Sequence, residues 1–443
     1  MNDWDDAEKR VERAHELYDR GQWQAALDEL KAAIEINPYN SSWHFNLGLT
    51  YDALDRYQDA ITCYRQALEM DPEDVEILCA LGIDCNRAGN FDEAISFFSR
   101  IESLDAAYEP CYCNRIVSYA EKGNHEKAEE MFYLARQYRE KCPTCYYNMG
   151  SSLFVRGMFD RALWCWQQVL IFDPDHRQVH ARIAHAHWAK GQLQESRNHF
   201  IEELRSSPGD IDVMLDLGEL LIDLGEFSPA GEKFRQVLEL SPEEPTALFH
   251  LGNVALGEAK MPEALECFRR ALKTDRTFPG AHLRMAHIYL KQNKPTEAIF
   301  HANCELAQQT NDEHTLLELG NTFVDLNQMA PAETTFRRVL EANPQNAAAR
   351  HNLGVLLLKS GRVDEGIEQE RKALRALPKY MLAMHNLALA YLMKKDVTRA
   401  RFWLREAMDI APDDQQLRQL HTKLRFAHWA ATARKVMGRL RRK

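Results

Sequence analysis

Two close cysteine pairs, Cys111-Tyr-Cys113 and Cys142-Pro-Thr-Cys145, have the residue types and spacing that hold zinc or run thiol–disulfide exchange. A CPTC run at a helix start also sets sulfur among backbone amides that favour the thiolate. Other groups invite chemistry or binding. Ala184-His185-Ala186-His187 brings two imidazoles close together, and Asp212, Asp216, Glu219 and Asp223 recur at i, i+4, i+7 and i+11. That spacing puts four carboxylates on one helical stripe, which repels itself until a cation arrives. The plain alternative is a solvated charged face.

The elements that must position these groups are set by proline. Pro38, Pro72, Pro174, Pro208, Pro242, Pro344, Pro378 and Pro412 are separated by 34 residues or whole multiples of 34. A period without slippage means one supersecondary unit repeated in tandem, each copy burying its apolar face on the next. With this phase, twelve repeats run from residue 7 to 414, beginning at Ala7, Ser41, Val75, Glu109, Pro143, Arg177, Ile211, Pro245, Pro279, Glu313, Ala347 and Met381. The eighth place is small in every repeat but the fourth, where Ile116 stands, and the twentieth is Ala, Ser or Gly throughout. The twenty-fourth place is mostly aromatic: Tyr64, Phe98, Phe132, Trp166, Phe200, Phe234, Phe268 and Phe336. Large side chains beside small ones at helical spacing predict two closely packed antiparallel helices per repeat. The other prolines agree with the phase, because proline is tolerated only in a helix's first turn. Pro110, Pro143, Pro245 and Pro279 are expected at the start of first helices, and Pro229, Pro262, Pro295 and Pro331 in the opening turn of second helices.

This pattern resembles the tetratricopeptide repeat, with a small residue at the eighth place, Ala at the twentieth, an aromatic at the twenty-fourth and Pro at the thirty-second. Departures fall at Ala106, Glu140, Arg276 and Thr310, which replace the proline, and at Arg115 and Ile116. The resemblance implies an all-α, right-handed α-solenoid superhelix whose first helices line a concave wall. On that wall the second, fifth, sixth, ninth, twelfth and thirteenth places are exposed. One family mode grips a peptide carboxylate with Lys or Arg from the fifth place. Here that place reads Val11, Phe45, Cys79, Cys113, Tyr147, Ala181, Leu215, Phe249, Leu283, Leu317, His351 and His385, so the clamp is absent. Asn46, Asn114, Asn148, Asn352 and Asn386 recur at the sixth place, where Asn is suited to backbone hydrogen bonds but is also frequent in the repeat.

The wall changes character in repeats five to seven. Tyr147, Phe154 and Trp188 offer aromatic anchors beside Asn148, Ser151, Arg182 and His185, next to the Asp212, Asp216, Glu219 and Asp223 stripe. The expected partner is an apolar and basic peptide or helix of another protein. The expected role is a protein–protein interaction scaffold or adaptor.

Within this frame the chemical candidates recede. Cys111 and Cys145 hold the same place in adjacent repeats, so they should stand about a helix spacing of 8–10 Å apart, too far to share one ion. Cys63, Cys165 and Cys267 share another place, which suggests packing, and a redox dithiol would need a strand context that is missing. No phosphate-cradling glycine loop, nucleophile elbow or HExxH helix is present. The expectation is no enzyme, no cofactor and no metal. The polar, acidic start of the chain has neither the basic nor the apolar region of a secretory signal, and no apolar run approaches bilayer length. Together with ten cysteines read as free thiols, this points to the cytoplasm.

The end of the chain differs from the body. Residues 415–443 carry nine Lys or Arg and no Asp or Glu, and the remaining 46 basic and 66 acidic side chains leave the body at −20 against a tail of +9. Residues 1–6 read as a lead and 415–443 as a basic amphipathic capping helix, with Leu417, Leu420 and Leu424 suited to packing on repeat twelve. Beyond them, Phe426, Trp429, Ala433, Met437 and Leu440 form a second apolar stripe among Arg425, Arg434, Lys435, Arg439, Arg441 and Arg442. Four readings stay open for that segment: an extended cap, an interfacial helix on an anionic membrane, a nucleic-acid contact, or self-association through the acidic groove of another copy.

Overall fold

The computed structural model describes residues 3–308, 312–422 and 424. Regular structure among them is helical, with no strand. Twelve helix pairs follow in order, and the second helix of each begins at the seventeenth place of its repeat, from Trp23 and Tyr57 to Val363 and Val397. Between the two helices, the fifteenth place adopts a left-handed conformation in every repeat. Glycine fills it at Gly21, Gly89, Gly123, Gly157, Gly191, Gly225 and Gly361; Asp55, Asn293 and Asn327 are of types that tolerate it, and Ala259 and Lys395 adopt it against their usual preference. First helices are begun by short polar caps: Asp74 accepts from the amides of Glu76 and Ile77 (2.8 and 3.0 Å), and Asn346 from that of Ala349 (2.7 Å).

Nine first helices start where the phase places them, and three start elsewhere, at Asp3, Val179 and Ala281. The last two share one cause. In repeats six and nine the chain turns left-handed at Gln178 (φ 67°) and Gly280 (φ 80°), which delays the helix. A buried carboxylate from the second helix then caps it, with Glu203 accepting from the amides of Gln178 and Ala181, and Glu305 from those of Gly280 and Leu283. Pro279 therefore sits in the turn before its helix rather than in the first turn, contrary to expectation.

The eighth and twenty-fourth places meet as knob and hole. A Cβ on Gly150 would come 2.6 Å from Trp166 Nε1, and Gly48, Gly82, Gly252 and Gly320 stand equally close to the rings of Tyr64, Phe98, Phe268 and Phe336. Repeat four departs from this pattern: Ile116 is fully buried, and the buried Arg115 reaches Glu102 at 2.5 Å.

The helix pairs group into two compact units, Met1–Ala230 and Gly231–Lys443. The first is built around Tyr64, Phe98, Tyr112, Trp166 and Phe200 and contains every residue of the expected groove. In the second, Phe268, Phe323 and Phe336 are buried, and Leu417, Leu420 and Leu424 pack with Leu387, Tyr391 and Leu404 of the last helix pair.

Candidate functional site

The first helices of repeats five to seven are Pro143–Val155, Val179–Ala189 and Ile211–Asp223. Three side-chain links join them. Arg182 Nε donates to the Tyr147 hydroxyl (3.1 Å), His185 Nε2 lies 3.0 Å from Asp216 Oδ2, and Trp188 Nε1 donates to Asp223 Oδ2 (2.8 Å). The anchors are also backed from behind. Phe154 leans on Trp166 and Phe159, while His185 and Trp188 both meet Phe200 edge-on, with centroids 5.2 and 6.2 Å away. Tyr147 stacks on His176. The aromatic side chains are thus half-buried and held, as a preorganised contact surface requires.

The carboxylate stripe is less bare than its spacing suggested. Asp216 faces His185 and Asp223 accepts the Trp188 indole, whereas Asp212 is exposed at the helix start. An indole hydrogen bond leaves the carboxylate charge in place, so the stripe still presents a negative field. The recurring Asn residues are engaged within the fold. Asn148 donates to the Cys113 carbonyl (2.9 Å), Asn114 to the Pro110 carbonyl, and Asn386 to Glu370. Ser151 donates to the Tyr147 carbonyl (3.1 Å). Beside Asn148 and Ser151 opens a cleft of about 340 Å³, lined also by Val117, Glu121, His125 and Val155. Val155, 80% exposed, holds the thirteenth place of repeat five and adds an aliphatic side chain beside those expected there.

The cysteines depart from expectation. Cys111 stays apart, buried, its thiol pushed up to about 12 by burial. It is Cys113, two residues on, that turns toward the CPTC run: Cys113 and Cys145 are joined as a disulfide, with Cα atoms 4.8 Å apart. Cys142 Sγ lies 3.5 Å from Cys113 Sγ and accepts from the Cys145 amide (3.4 Å). Glu109 completes the group, its Oε1 set against Cys113 Sγ and 3.0 Å from Cys145 Sγ, disulfide sulfurs that carry no proton to donate. The expected separation compared equivalent places of adjacent repeats. The contact instead runs from the fifth place of one repeat to the third place of the next, which that comparison skips. Cys63 and Cys165 are core filling: burial pushes the Cys63 thiol up to about 11 and the Cys165 thiol up to about 12.

Of the tail, Arg425, Arg434, Lys435, Arg439, Arg441 and Arg442 lie outside the described residues. No described helix is long and apolar enough to cross a membrane.

Models of the tetratricopeptide repeat and the TPR repeat match residues 14–55, 41–74, 215–282, 317–380 and 383–414, about half of the chain. The chain belongs to the tetratricopeptide repeat family. The matched segments of this tetratricopeptide protein lie on either side of residues 75–214, which hold the cysteine group and most of the aromatic wall. A TPR repeat-containing thioredoxin of Arabidopsis thaliana, TTL4, is 28% identical over 138 residues, 31% of this chain and 20% of that protein. The chain therefore matches about a fifth of that relative's length. Among solved structures, yeast Tom70 is 14% identical, with 97% of this chain and 99% of that chain covered and a TM-score of 0.44. A tetratricopeptide repeat protein from Parabacteroides merdae is 17% identical, with 56% and 99% covered and a TM-score of 0.46. Family membership makes the tetratricopeptide protein a protein-interaction scaffold in the general sense.

Proposed function

We propose that the wall of repeats five to seven binds an apolar and basic peptide or helix of a partner protein. The observation that carries this reading is Trp188, half-buried against Phe200, hydrogen-bonded to Asp223 and three residues beyond His185, which contacts Asp216. An aromatic ring and a row of carboxylates on one surface suit a segment that alternates apolar and cationic side chains. Tyr147, bridged to Arg182, and Phe154 extend the apolar strip, and the cleft beside Asn148 and Ser151 offers room for a further side chain. With no Lys or Arg at the fifth place, the partner is gripped along its length rather than by a terminal carboxylate.

A labelled amphipathic Lys/Leu peptide, titrated with the full chain and followed by fluorescence anisotropy, tests the reading against a Glu/Leu peptide of the same pattern. The cationic peptide should bind more tightly, more weakly as salt rises, and about tenfold or more weakly to the Trp188→Ala, Asp216→Ala double variant. Equal binding of both peptides, or no loss in the double variant, overturns it.

A further inference from the structure

We propose that Glu109, Cys113, Cys142 and Cys145, once the disulfide is reduced, form a structural site for a thiophilic divalent cation of the zinc class. Their four donor atoms lie within 4.8 Å of one another. They come from two elements. Glu109 and Cys113 stand at i and i+4 on one face of the helix Glu109–Glu121, and Cys142 and Cys145 are the N-cap and third residue of Pro143–Val155. Proline at the first helical position fixes the turn between those two sulfurs.

The spacing suits tetrahedral coordination. Zinc–sulfur bonds of about 2.3 Å place neighbouring sulfurs about 3.8 Å apart, and the Cys113–Cys142 pair already stands at 3.5 Å. The surroundings suit it equally. Glu109 is 8% exposed, Cys113 1%, Cys142 2% and Cys145 0%, and the Glu109 carboxylate faces the sulfurs of Cys113 and Cys145, which become thiol donors on reduction, with no Lys or Arg ion-paired to it among the described residues. Buried charges are paired or coordinate metals, and a dication bound directly to the Glu109 carboxylate meets that need. Soft sulfur donors select zinc-like ions over magnesium or calcium. Four buried protein donors leave no open position for substrate, so the site is structural rather than catalytic.

The chemistry balances. A phosphine reductant and one water convert the Cys113–Cys145 disulfide to two thiols and the phosphine oxide. The metal then displaces three thiol protons as it takes three thiolates and the Glu109 carboxylate. Bound there, it pins the first helix of repeat four to that of repeat five. Tyr147 and Asn148 follow Cys145 directly in that helix, and Asn148 bonds the Cys113 carbonyl, so the pin fixes one edge of the proposed wall.

The test uses the full chain, reduced with phosphine, desalted without oxygen and titrated with cobalt(II), then zinc(II). One equivalent of cobalt should give thiolate charge-transfer absorption and the visible bands of tetrahedral cobalt, zinc should bleach both, and zinc should raise the unfolding temperature of the reduced protein. Cys142→Ser leaves the Cys113–Cys145 pair intact and should lose the cobalt spectrum at unchanged helicity. Should that variant lose helicity, Glu109→Gln serves instead, with a shifted spectrum and weaker uptake expected. Cys111→Ser should bind as the parent does. A reduced parent that takes up no cobalt, holding a disulfide-forming cluster only, overturns the proposal. So does uptake unchanged in both Cys142→Ser and Glu109→Gln, or lost only in Cys111→Ser.

Discussion

Glu370 in repeat eleven accepts a hydrogen bond from His351, 3.0 Å from Nδ1 to Oε2, at the twenty-fourth place where other repeats bury an aromatic ring. Its side chain is fully buried, and Asn386 donates to its other oxygen.

Burial holds the Glu370 carboxyl above the usual carboxylate range, and His351 and Asn386 offset this only in part. The folded chain therefore keeps this proton more tightly than the unfolded chain does. The stability it contributes is full below the unfolded value of about 4.3 and is lost as pH rises through the folded value. Glu370→Gln, which cannot ionise, should be more stable than the parent at pH 8, with the difference vanishing near pH 4. Urea midpoints at the two pH values decide this, and a Gln variant weaker than the parent at pH 8 would show that the ionised pair is net stabilising.

Histidine pairs predict the opposite slope. His180 and His199 face each other at 3.0 Å between Nδ1 atoms, and His282 and His301 repeat the contact at 2.9 Å. Burial, then the neighbouring His180 and His187, lowers His199 to about 4, and burial, then His282 and Arg269, lowers His301 to about 4. A base depressed in the fold leaves stability intact above the unfolded value of about 6.5 and removes it as pH falls toward the folded value. Melting temperature should drop between about pH 6.5 and 4, and the His199→Gln, His301→Gln variant should show a shallower drop. Parallel curves for the two proteins would refute the assignment.

Most of the fold was legible because each signal is local to one repeat. Proline, the small eighth and twentieth places and the aromatic twenty-fourth place set a phase that the second helices follow from Trp23 to Val397. What escaped depends on neighbours. The delayed starts at Val179 and Ala281 are fixed by Glu203 and Glu305, some 25 residues later in the chain, and nothing near the starts announces them except Gly280. The positions of Tyr147, Phe154 and Trp188 on first helices were legible from the phase. The partners of Trp188 and His185 were not, because they sit on the first helix of the next repeat at offsets the spacing does not state. The Cys113 contact was hidden for the same reason.

Gly150 tests the coupling between core and wall. A methyl there would stand 2.6 Å from Trp166, whose indole donates to the Tyr147 carbonyl at 3.2 Å. Gly150→Ala should cost about 1–3 kcal/mol through overpacking and weaken cationic-peptide binding through displaced Tyr147. Gly209→Ala, where added carbon meets nothing within 4 Å, is the control. Equal denaturation midpoints for the two variants would contradict the knob-and-hole account.

Repeats six and nine offer a matched comparison of backbone strain. Both turn left-handed at their second place, but repeat nine uses Gly280 there and repeat six uses Gln178. A side chain with positive φ costs roughly 1 kcal/mol that glycine avoids, so Gln178→Gly should raise stability by up to about 1 kcal/mol. The turn persists because Glu203 holds two amides, those of Gln178 (2.9 Å) and Ala181 (3.1 Å), and is itself only 2% exposed. Glu203→Ala leaves both amides without their acceptor and should cost about 2 kcal/mol or more. Because these amides start the helix that carries Arg182, His185 and Trp188, the same variant should speed hydrogen exchange across 179–185 and weaken cationic-peptide binding. Gln178→Gly should leave that binding unchanged. If instead Gln178→Gly destabilises the chain, the Gln178 side chain makes a contribution larger than the strain it imposes, and the left-handed turn is not the cost that the comparison with Gly280 implies.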